Sequence, residues 1–145
     1  MSRLDELELR IESREASMGV IGLGYVGLPL ALELAKAGFE VTGIDIDAEK
    51  VEAIEADRSY IEDVDASEIA AMRSAGRLRA TNDFQVLMGL DVIHICVPTP
   101  LTRSKDPDVS HMARAVEEIR RRLRSGQWAR ISGPAWAQAC QLVGR

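Results

Sequence analysis

Three glycines, Gly22, Gly24 and Gly27, form the pattern G-x-G-x-x-G, which is able to bind the phosphates of a dinucleotide. The first glycine permits a tight turn, the second lets a pyrophosphate approach the backbone, and the third lets a helix pack closely on a sheet. The N–H groups near Tyr25 and Val26 open the following helix, lack partners within it, and share its positive dipole end with the phosphates. Glycines also mark ordinary turns, so the interpretation depends on the elements around them.

Those elements have the order strand, turn, helix, strand. Residues 18–23 form a short apolar run typical of a buried parallel strand, and residues 26–37 repeat apolar side chains at helical spacing. A second strand is predicted over 40–46, with Asp45 at its end, about 20 residues after the turn. The Asp45 carboxylate can accept hydrogen bonds from the adenosine ribose, whereas Asp45 and Asp47 together would repel a 2′-phosphate. The pattern predicts a site for NAD rather than NADP.

A second candidate cofactor element follows the strand predicted over 91–97. Val97, Pro98 and Thr99 lie where this strand ends, and ligands of open α/β sheets bind at the carboxyl ends of the strands. From these residues alone, a loop that merely ends the strand is an equally good interpretation. Cys96 alternates within the strand, and we interpret it as a small core thiol rather than a nucleophile.

Strands and helices alternate along most of the chain. Further elements are predicted at these positions: helices over 3–15, 48–56, 66–75 and 111–124, and a brief strand over 78–81. The alternation predicts an α/β fold, a Rossmann-like parallel sheet with flanking helices that is incomplete at its C-terminal end. We divide the chain into three parts: an N-terminal helical extension (1–17), a partial NAD-binding domain (18–127) and a tail (128–145).

Composition narrows the class of protein. The 145 residues suit one domain, and the net charge of −5 argues against general affinity for nucleic acid or anionic membranes. No apolar run has the length of a membrane span, and the N-terminus is too charged for a signal peptide. The two cysteines, Cys96 and Cys140, form neither a disulfide framework nor a metal-binding pair. The expected compartment is the cytoplasm.

Three separated motifs resemble one enzyme family. At residues 19–47, at SYIEDV (59–64) and at ICVPTPL (95–101), the chain resembles the UDP-glucose/GDP-mannose dehydrogenases, over roughly residues 5–127. SYIEDV and the charged helix before the first strand resemble the branch that acts on UDP-N-acetylglucosamine or UDP-N-acetylmannosamine. The resemblance implies an oxidoreductase of polysaccharide biosynthesis that oxidises the C6 alcohol of the sugar to the carboxylate with two NAD.

The resemblance also implies roles for particular residues. The implied cofactor-binding residues are Gly22, Gly24, Tyr25, Val26 and Gly27 at the pyrophosphate, Asp45 and Lys50 at the adenosine ribose, and Val97, Pro98 and Thr99 beside the nicotinamide ribose. Ser59, Tyr60 and Ile61 match a segment near the cofactor.

After residue 127 the resemblance stops. The family continues with an apolar strand and a glutamate-serine-threonine stretch, then a substrate domain with a nucleophilic cysteine, and Cys140 does not match that context. We therefore expect a frame shift or truncation near residue 127, which would leave the strand over 91–97 with an open edge for self-association. No catalytic residue and no metal ligand is assigned. The chain alone is expected to bind NAD without turnover, and a UDP-sugar only as part of a full-length parent.

Three alternatives remain open at this point. One is another dehydrogenase with this half-fold, such as a hydroxyacid enzyme of the 6-phosphogluconate type, although SYIEDV and ICVPTPL speak against it. Another is a non-catalytic module that binds NAD or pairs with an intact dehydrogenase. The third is a degraded remnant.

Overall fold

The computed structural model describes residues 2–97, 103–104 and 110–131, except the side chains at 111, 112, 130 and 131. Its helices are α1 (Arg3–Glu12), α2 (Gly27–Lys36), α3 (Ala48–Glu55), α4 (Ala66–Ser74), a 3₁₀ helix (Phe84–Gly89) and α5 (Ser110–Arg122). Its strands are β1 (Ser17–Ile21), β2 (Glu40–Ile44), β3 (Leu78–Thr81), β4 (Val92–Ile95) and β5 (Trp128–Ile131). Within these residues all strand pairs are parallel, in the order β3-β2-β1-β4-β5. The predicted parallel α/β sheet with flanking helices is confirmed.

Successive residues of each strand face opposite layers of the molecule. In β1, Val20 packs in a cluster with Leu28 and other residues of α1, α2 and α4. Its neighbour Ile21 faces a second cluster that includes Leu87 of the 3₁₀ helix and Ile119 of α5. Because both faces of the sheet are covered, the central strands read as continuous apolar runs rather than as alternating ones.

Three of the helices in the N-terminal half of the chain are capped at their first turn by a side-chain hydrogen bond. The N-caps of α1, α3 and α4 are Ser2, Asp47 and Asp65, each accepting a backbone N–H of the first turn. Helix α2 differs, because its N-cap residue is Val26 and no side chain caps it. At the start of α2 the Leu28 N–H donates to the Gly24 carbonyl at 3.1 Å, and no side chain takes the place that the N-caps fill in the other three helices.

The expectation that the strand over 91–97 has an open edge is wrong. Trp128–Ile131 form β5, which runs parallel to β4 with Val92 opposite Trp128, and the Trp128 N–H donates to the Asp91 carbonyl at 2.8 Å. The four residues WARI show no periodicity of their own, so their strand depends on pairing with β4. In the described part of the sheet, the outer strand on this side is β5. Residues 132–145 lie outside the described residues.

The N-terminal helix is attached beneath the sheet. Asp91, a buried carboxylate at the start of β4, accepts the Ser17 N–H at 2.8 Å and an Arg10 N–H at 2.8 Å. Arg10 also donates to the Glu15 carbonyl at 3.2 Å. These bonds join α1 to the amino ends of β1 and β4, at the end of the sheet opposite to the glycine turn.

Candidate functional site

The glycine turn joins the carboxyl end of β1 to the start of α2. Gly22 has a φ of +93°, and its N–H donates to the Ile44 carbonyl of β2 at 2.8 Å. A Cβ at Gly22 would lie 2.7 Å from the Cys96 carbonyl oxygen, so the turn passes directly over the end of β4. Both the backbone conformation and this close approach require glycine here.

Gly27 brings the first turn of α2 against the turn itself. A Cβ at this position would lie 1.6 Å from the Gly22 carbonyl oxygen and 3.4 Å from the Cβ of Cys96. No adjustment of a side chain can relieve the first contact, since the nearest atom belongs to the backbone. The helix can therefore approach the sheet this closely only without a side chain at Gly27.

Gly24 lies in open space, in contrast to the two other glycines. A Cβ there would meet no atom of the described residues within 4 Å, apart from those of its neighbours in the chain. The next two side chains are turned outward, with 81% of Tyr25 and 58% of Val26 exposed. Open space, backbone N–H groups and the uncapped start of α2 thus meet at one place, which fits a phosphate group of a dinucleotide.

Asp45 lies at the carboxyl end of β2, and only 8% of it is exposed. One carboxylate oxygen accepts the Leu23 N–H at 2.8 Å, and the other accepts the Asp47 N–H at 2.9 Å. Asp45 therefore holds the glycine turn to the end of β2, a role that its position in the sequence did not suggest. Each oxygen keeps a further lone pair that can accept a ribose hydroxyl.

Tyr60 lies near both Asp45 and Lys50. The Lys50 Nζ is 6.0 Å from the centroid of the Tyr60 ring, and the Tyr60 hydroxyl donates to the Leu23 carbonyl at 2.5 Å. Burial, together with the carboxylates of Asp45 and Asp47, raises the pKa of the Tyr60 hydroxyl above its ordinary value. The hydroxyl therefore stays protonated and remains a hydrogen-bond donor.

The loop after β4 begins against the glycine turn. The Cα of Val97 would lie 3.0 Å from a Cβ at Gly22, which places Val97 next to the turn at the same end of the sheet. Pro98 and Thr99 lie outside the described residues. Cys96 is buried with 7% of its surface exposed, in agreement with its interpretation as a core thiol.

Other kinds of site find no support in the part of the chain that the structure describes. Across residues 2–97, 103–104 and 110–131, no group of three or more histidine, cysteine, aspartate or glutamate side chains is placed to hold a metal ion. Over the same residues, no helix combines the length and apolar character needed to cross a membrane.

Comparison with known proteins agrees with the geometry of the turn. Residues 16–131 match the model described as UDP-glucose/GDP-mannose dehydrogenase family, NAD binding domain. UDP-N-acetyl-D-mannosamine dehydrogenase from Pyrococcus horikoshii is 36% identical over 70% of this chain and 24% of its own length. UDP-N-acetyl-D-glucosamine 6-dehydrogenase from Pseudomonas aeruginosa is 34% identical over 78% of this chain and 26% of its own length. The chain thus spans about a quarter of the length of the curated relatives that it matches.

Solved structures show the same likeness. The NDP-N-acetyl-D-galactosaminuronic acid dehydrogenase from Methanosarcina mazei superposes with a TM-score of 0.81 at 26% identity, over 99% of this chain and 33% of that one. A ternary complex of GDP-mannose dehydrogenase from Pseudomonas aeruginosa gives 0.77 at 27% identity, over 88% of this chain and 33% of the other.

Proposed function

Since the chain belongs to the UDP-glucose/GDP-mannose dehydrogenase family and contains its NAD-binding domain, we propose that the glycine turn holds the pyrophosphate of NAD. The observation that carries this proposal is the open space at Gly24 beside the uncapped start of α2. The backbone N–H groups at Tyr25 and Val26 donate to the phosphate oxygens, and the helix dipole adds to the attraction.

The adenosine ribose lies beyond the end of β2. Asp45 accepts its hydroxyls through the lone pairs that the Leu23 and Asp47 N–H groups leave available. Lys50 contributes a cation near the same ribose. A 2′-phosphate would be placed against the carboxylates of Asp45 and Asp47, so the site selects NAD over NADP. Val97, Pro98 and Thr99 lie toward the nicotinamide ribose.

The reaction that this domain serves is oxidation of the C6 alcohol of a UDP-N-acetyl-hexosamine to the carboxylate. The support for this substrate class is the names of the relatives, which act on UDP-N-acetyl-mannosamine and UDP-N-acetyl-glucosamine. NAD, when bound, supplies the hydride acceptor. Cys96, the cysteine that lies within the described residues, is buried beneath Gly27 and is not presented to a substrate, so the described domain binds and orients NAD without turnover. We place the protein in the cytoplasm.

Calorimetric titration of the purified chain with NADH, and with NADPH as the control, tests the proposal. We expect saturable binding of NADH, much weaker binding of NADPH, and a smaller difference between them in Asp45→Ala. Failure of the folded chain to bind NADH would contradict the proposal, and equal affinity for the two nucleotides would contradict the role of Asp45.

We also propose that copies of the chain associate with one another through the outer edge of β5. In the alternative function, a non-catalytic module, the same edge would pair with an intact dehydrogenase. The Trp128 N–H points toward β4, so the N–H of Ala129, the next residue, points away from it. Within the described residues no strand pairs with this edge of β5, and an unpaired strand edge is a template for another strand. Ala129→Pro removes one outward N–H and leaves the pairing with β4 intact. Sedimentation analysis should find oligomers of the wild-type chain that this substitution reduces, and a wild-type monomer at all concentrations would refute the association.

A further inference from the structure

The peptide groups on both sides of Leu23 are held by side chains from two other segments. The Leu23 N–H donates to Asp45 at 2.8 Å, and the Leu23 carbonyl accepts the Tyr60 hydroxyl at 2.5 Å. The Leu23 side chain is fully buried against Gly43, where a Cβ would lie 2.7 Å from a Leu23 methyl carbon. Leu23 is therefore fixed at its N–H, its carbonyl and its side chain.

Tyr60 reaches Leu23 from a segment that is itself fixed. The Ser59 hydroxyl donates to the Ile61 carbonyl at 2.9 Å and accepts the Ile61 N–H at 3.3 Å, which forms a tight local turn around Tyr60. Ile61 and Val64 are each 6% exposed and belong to the core cluster under α2. Since its neighbours are anchored in the core, the Tyr60 hydroxyl is delivered to a defined position.

The position of Leu23 matters because Gly24 follows it directly. The Leu23 carbonyl that Tyr60 holds belongs to the same peptide group as the Gly24 N–H. A rotation of this peptide would change the direction of that N–H and the shape of the open space at Gly24. The Tyr60 ring also lies 6.0 Å from the Lys50 Nζ, a distance at which a cation is attracted to the ring face. The Tyr60 side chain thus reaches both the Leu23–Gly24 peptide and Lys50.

We infer that Tyr60 is a positioning residue for the cofactor: its hydroxyl orients the Leu23–Gly24 peptide toward the pyrophosphate, and its ring places Lys50 near the ribose. This inference rests on the proposed binding of NAD at the glycine turn. Tyr60 acts on the cofactor through Leu23 and Lys50, and the SYIEDV segment supplies it from a part of the chain about 37 residues beyond the turn.

The test is NADH affinity in Tyr60→Phe, measured by calorimetry. Loss of one hydrogen bond that orients a peptide should weaken binding by about threefold to tenfold. Ser13→Ala is the matched control, because the Ser13 hydroxyl donates to the Arg10 carbonyl at the opposite end of the sheet. We expect its NADH affinity to equal that of the wild type. Thermal unfolding of each variant shows whether a loss of affinity follows merely from loss of structure.

A double-mutant cycle that combines Tyr60→Phe with Asp45→Asn measures whether the two residues are coupled in NADH binding. A tyrosine that served only the stability of the fold would show no such coupling. Because Asp45 and Tyr60 hold the two sides of the same residue, their effects on NADH binding should be non-additive. In the amide spectrum, Tyr60→Phe should shift the Gly24 resonance and reduce the change that NADH causes there. Additive effects on binding with an unshifted Gly24 amide would refute the inference.

The outcomes separate this inference from the proposed function. If the folded wild-type chain does not bind NADH, the proposed function fails, and the inference fails with it. If the wild type binds NADH and Tyr60→Phe binds it equally well, only the inference is overturned. Should Tyr60→Phe lose its cooperative unfolding, Ser59→Ala takes its place, since it loosens the turn around Tyr60 but keeps the hydroxyl. Ser59→Ala should then lower NADH affinity, and unchanged affinity would overturn the inference.

Discussion

Replacement of individual glycines of the turn by alanine should separate binding of the cofactor from stability of the fold. At Gly24 an added methyl group meets no atom within 4 Å in the described part of the chain beyond its sequence neighbours, and the backbone φ is not positive. Gly24→Ala should leave the free energy of unfolding unchanged or raise it by about 0.4–1 kcal/mol, because alanine restricts the unfolded chain. The same methyl group would occupy the space that we assign to the pyrophosphate.

The expected loss of affinity follows from hydrogen-bond geometry. Charge-assisted bonds from backbone N–H groups to phosphate oxygens are about 2.7–2.9 Å long, and a methyl carbon keeps its neighbours at about 3.5 Å or more. The added methyl group therefore pushes the phosphate away from the backbone, and at least one of these hydrogen bonds becomes too long to form. A hydrogen bond to a charged group contributes about 1.5–3 kcal/mol, so NADH should bind roughly 10- to 150-fold more weakly.

Gly27→Ala should have the opposite profile. Its Cβ would lie 1.6 Å from the Gly22 carbonyl oxygen, whereas real Cβ atoms essentially never approach a neighbour within 3.0 Å, so α2 must move away from the turn. We expect a loss of about 3 kcal/mol or more in the free energy of unfolding, at the upper end for an overpacked contact. Urea denaturation followed by circular dichroism measures this loss.

Gly89→Ala is the control for both variants. Gly89 lies at the end of the 3₁₀ helix, and among the described residues a Cβ there also meets no atom within 4 Å beyond its sequence neighbours. Gly89→Ala should therefore match the wild type in NADH affinity while it shares the effect of alanine on the unfolded chain. If Gly24→Ala binds NADH as tightly as Gly89→Ala does, the phosphate does not lie at Gly24, and our reasoning about the turn is refuted.

Three further substitutions test other contacts. Asp45→Asn leaves only one oxygen for two backbone N–H groups, so urea denaturation should show a loss of about 1–3 kcal/mol in the free energy of unfolding. A variant as stable as the wild type would contradict the hydrogen bonds of 2.8 and 2.9 Å that Asp45 accepts. Arg10→Ala removes the ion pair with buried Asp91. Because the Arg10 side chain is 47% exposed, we expect the free energy of unfolding to fall by only about 1 kcal/mol. Thermal unfolding should show that Arg10→Lys recovers part of this loss. The Ser67 N–H, which donates to Asp65 at the start of α4, lowers the pKa of that carboxyl below its ordinary 3.8. The contribution of this hydrogen bond to stability is therefore present above that value and is lost as the pH falls through the lower pKa of the folded state. The difference in free energy of unfolding between wild type and Asp65→Asn should accordingly shrink as the pH is lowered below that value.

Several features of the fold could be predicted from local patterns in the sequence. The three glycines, the apolar runs on either side and Asp45 at the end of the second strand are separated by short, regular intervals, so they predict a strand, turn, helix and strand without distant contacts. The structure differs from the predicted boundaries of these elements by only one or two residues, with β1 at Ser17–Ile21 and α2 at Gly27–Lys36. Gly43, in the middle of β2, is a further sequence signal of the close approach that the Leu23 side chain makes there.

Other features depend on contacts between distant segments, and the sequence alone could not supply them. Trp128–Ile131 form a strand because β4 offers them a parallel partner, which no periodicity of WARI reveals. Asp45 holds the Leu23 N–H only because β1 and β2 are neighbours, and Tyr60 reaches the Leu23 carbonyl only because Ile61 and Val64 are packed in the core. The sequence by itself determined which residues have the chemistry to bind a dinucleotide. The tertiary structure decided how the turn is held in place, because hydrogen bonds across tens of residues form only when the sheet and core bring their partners together.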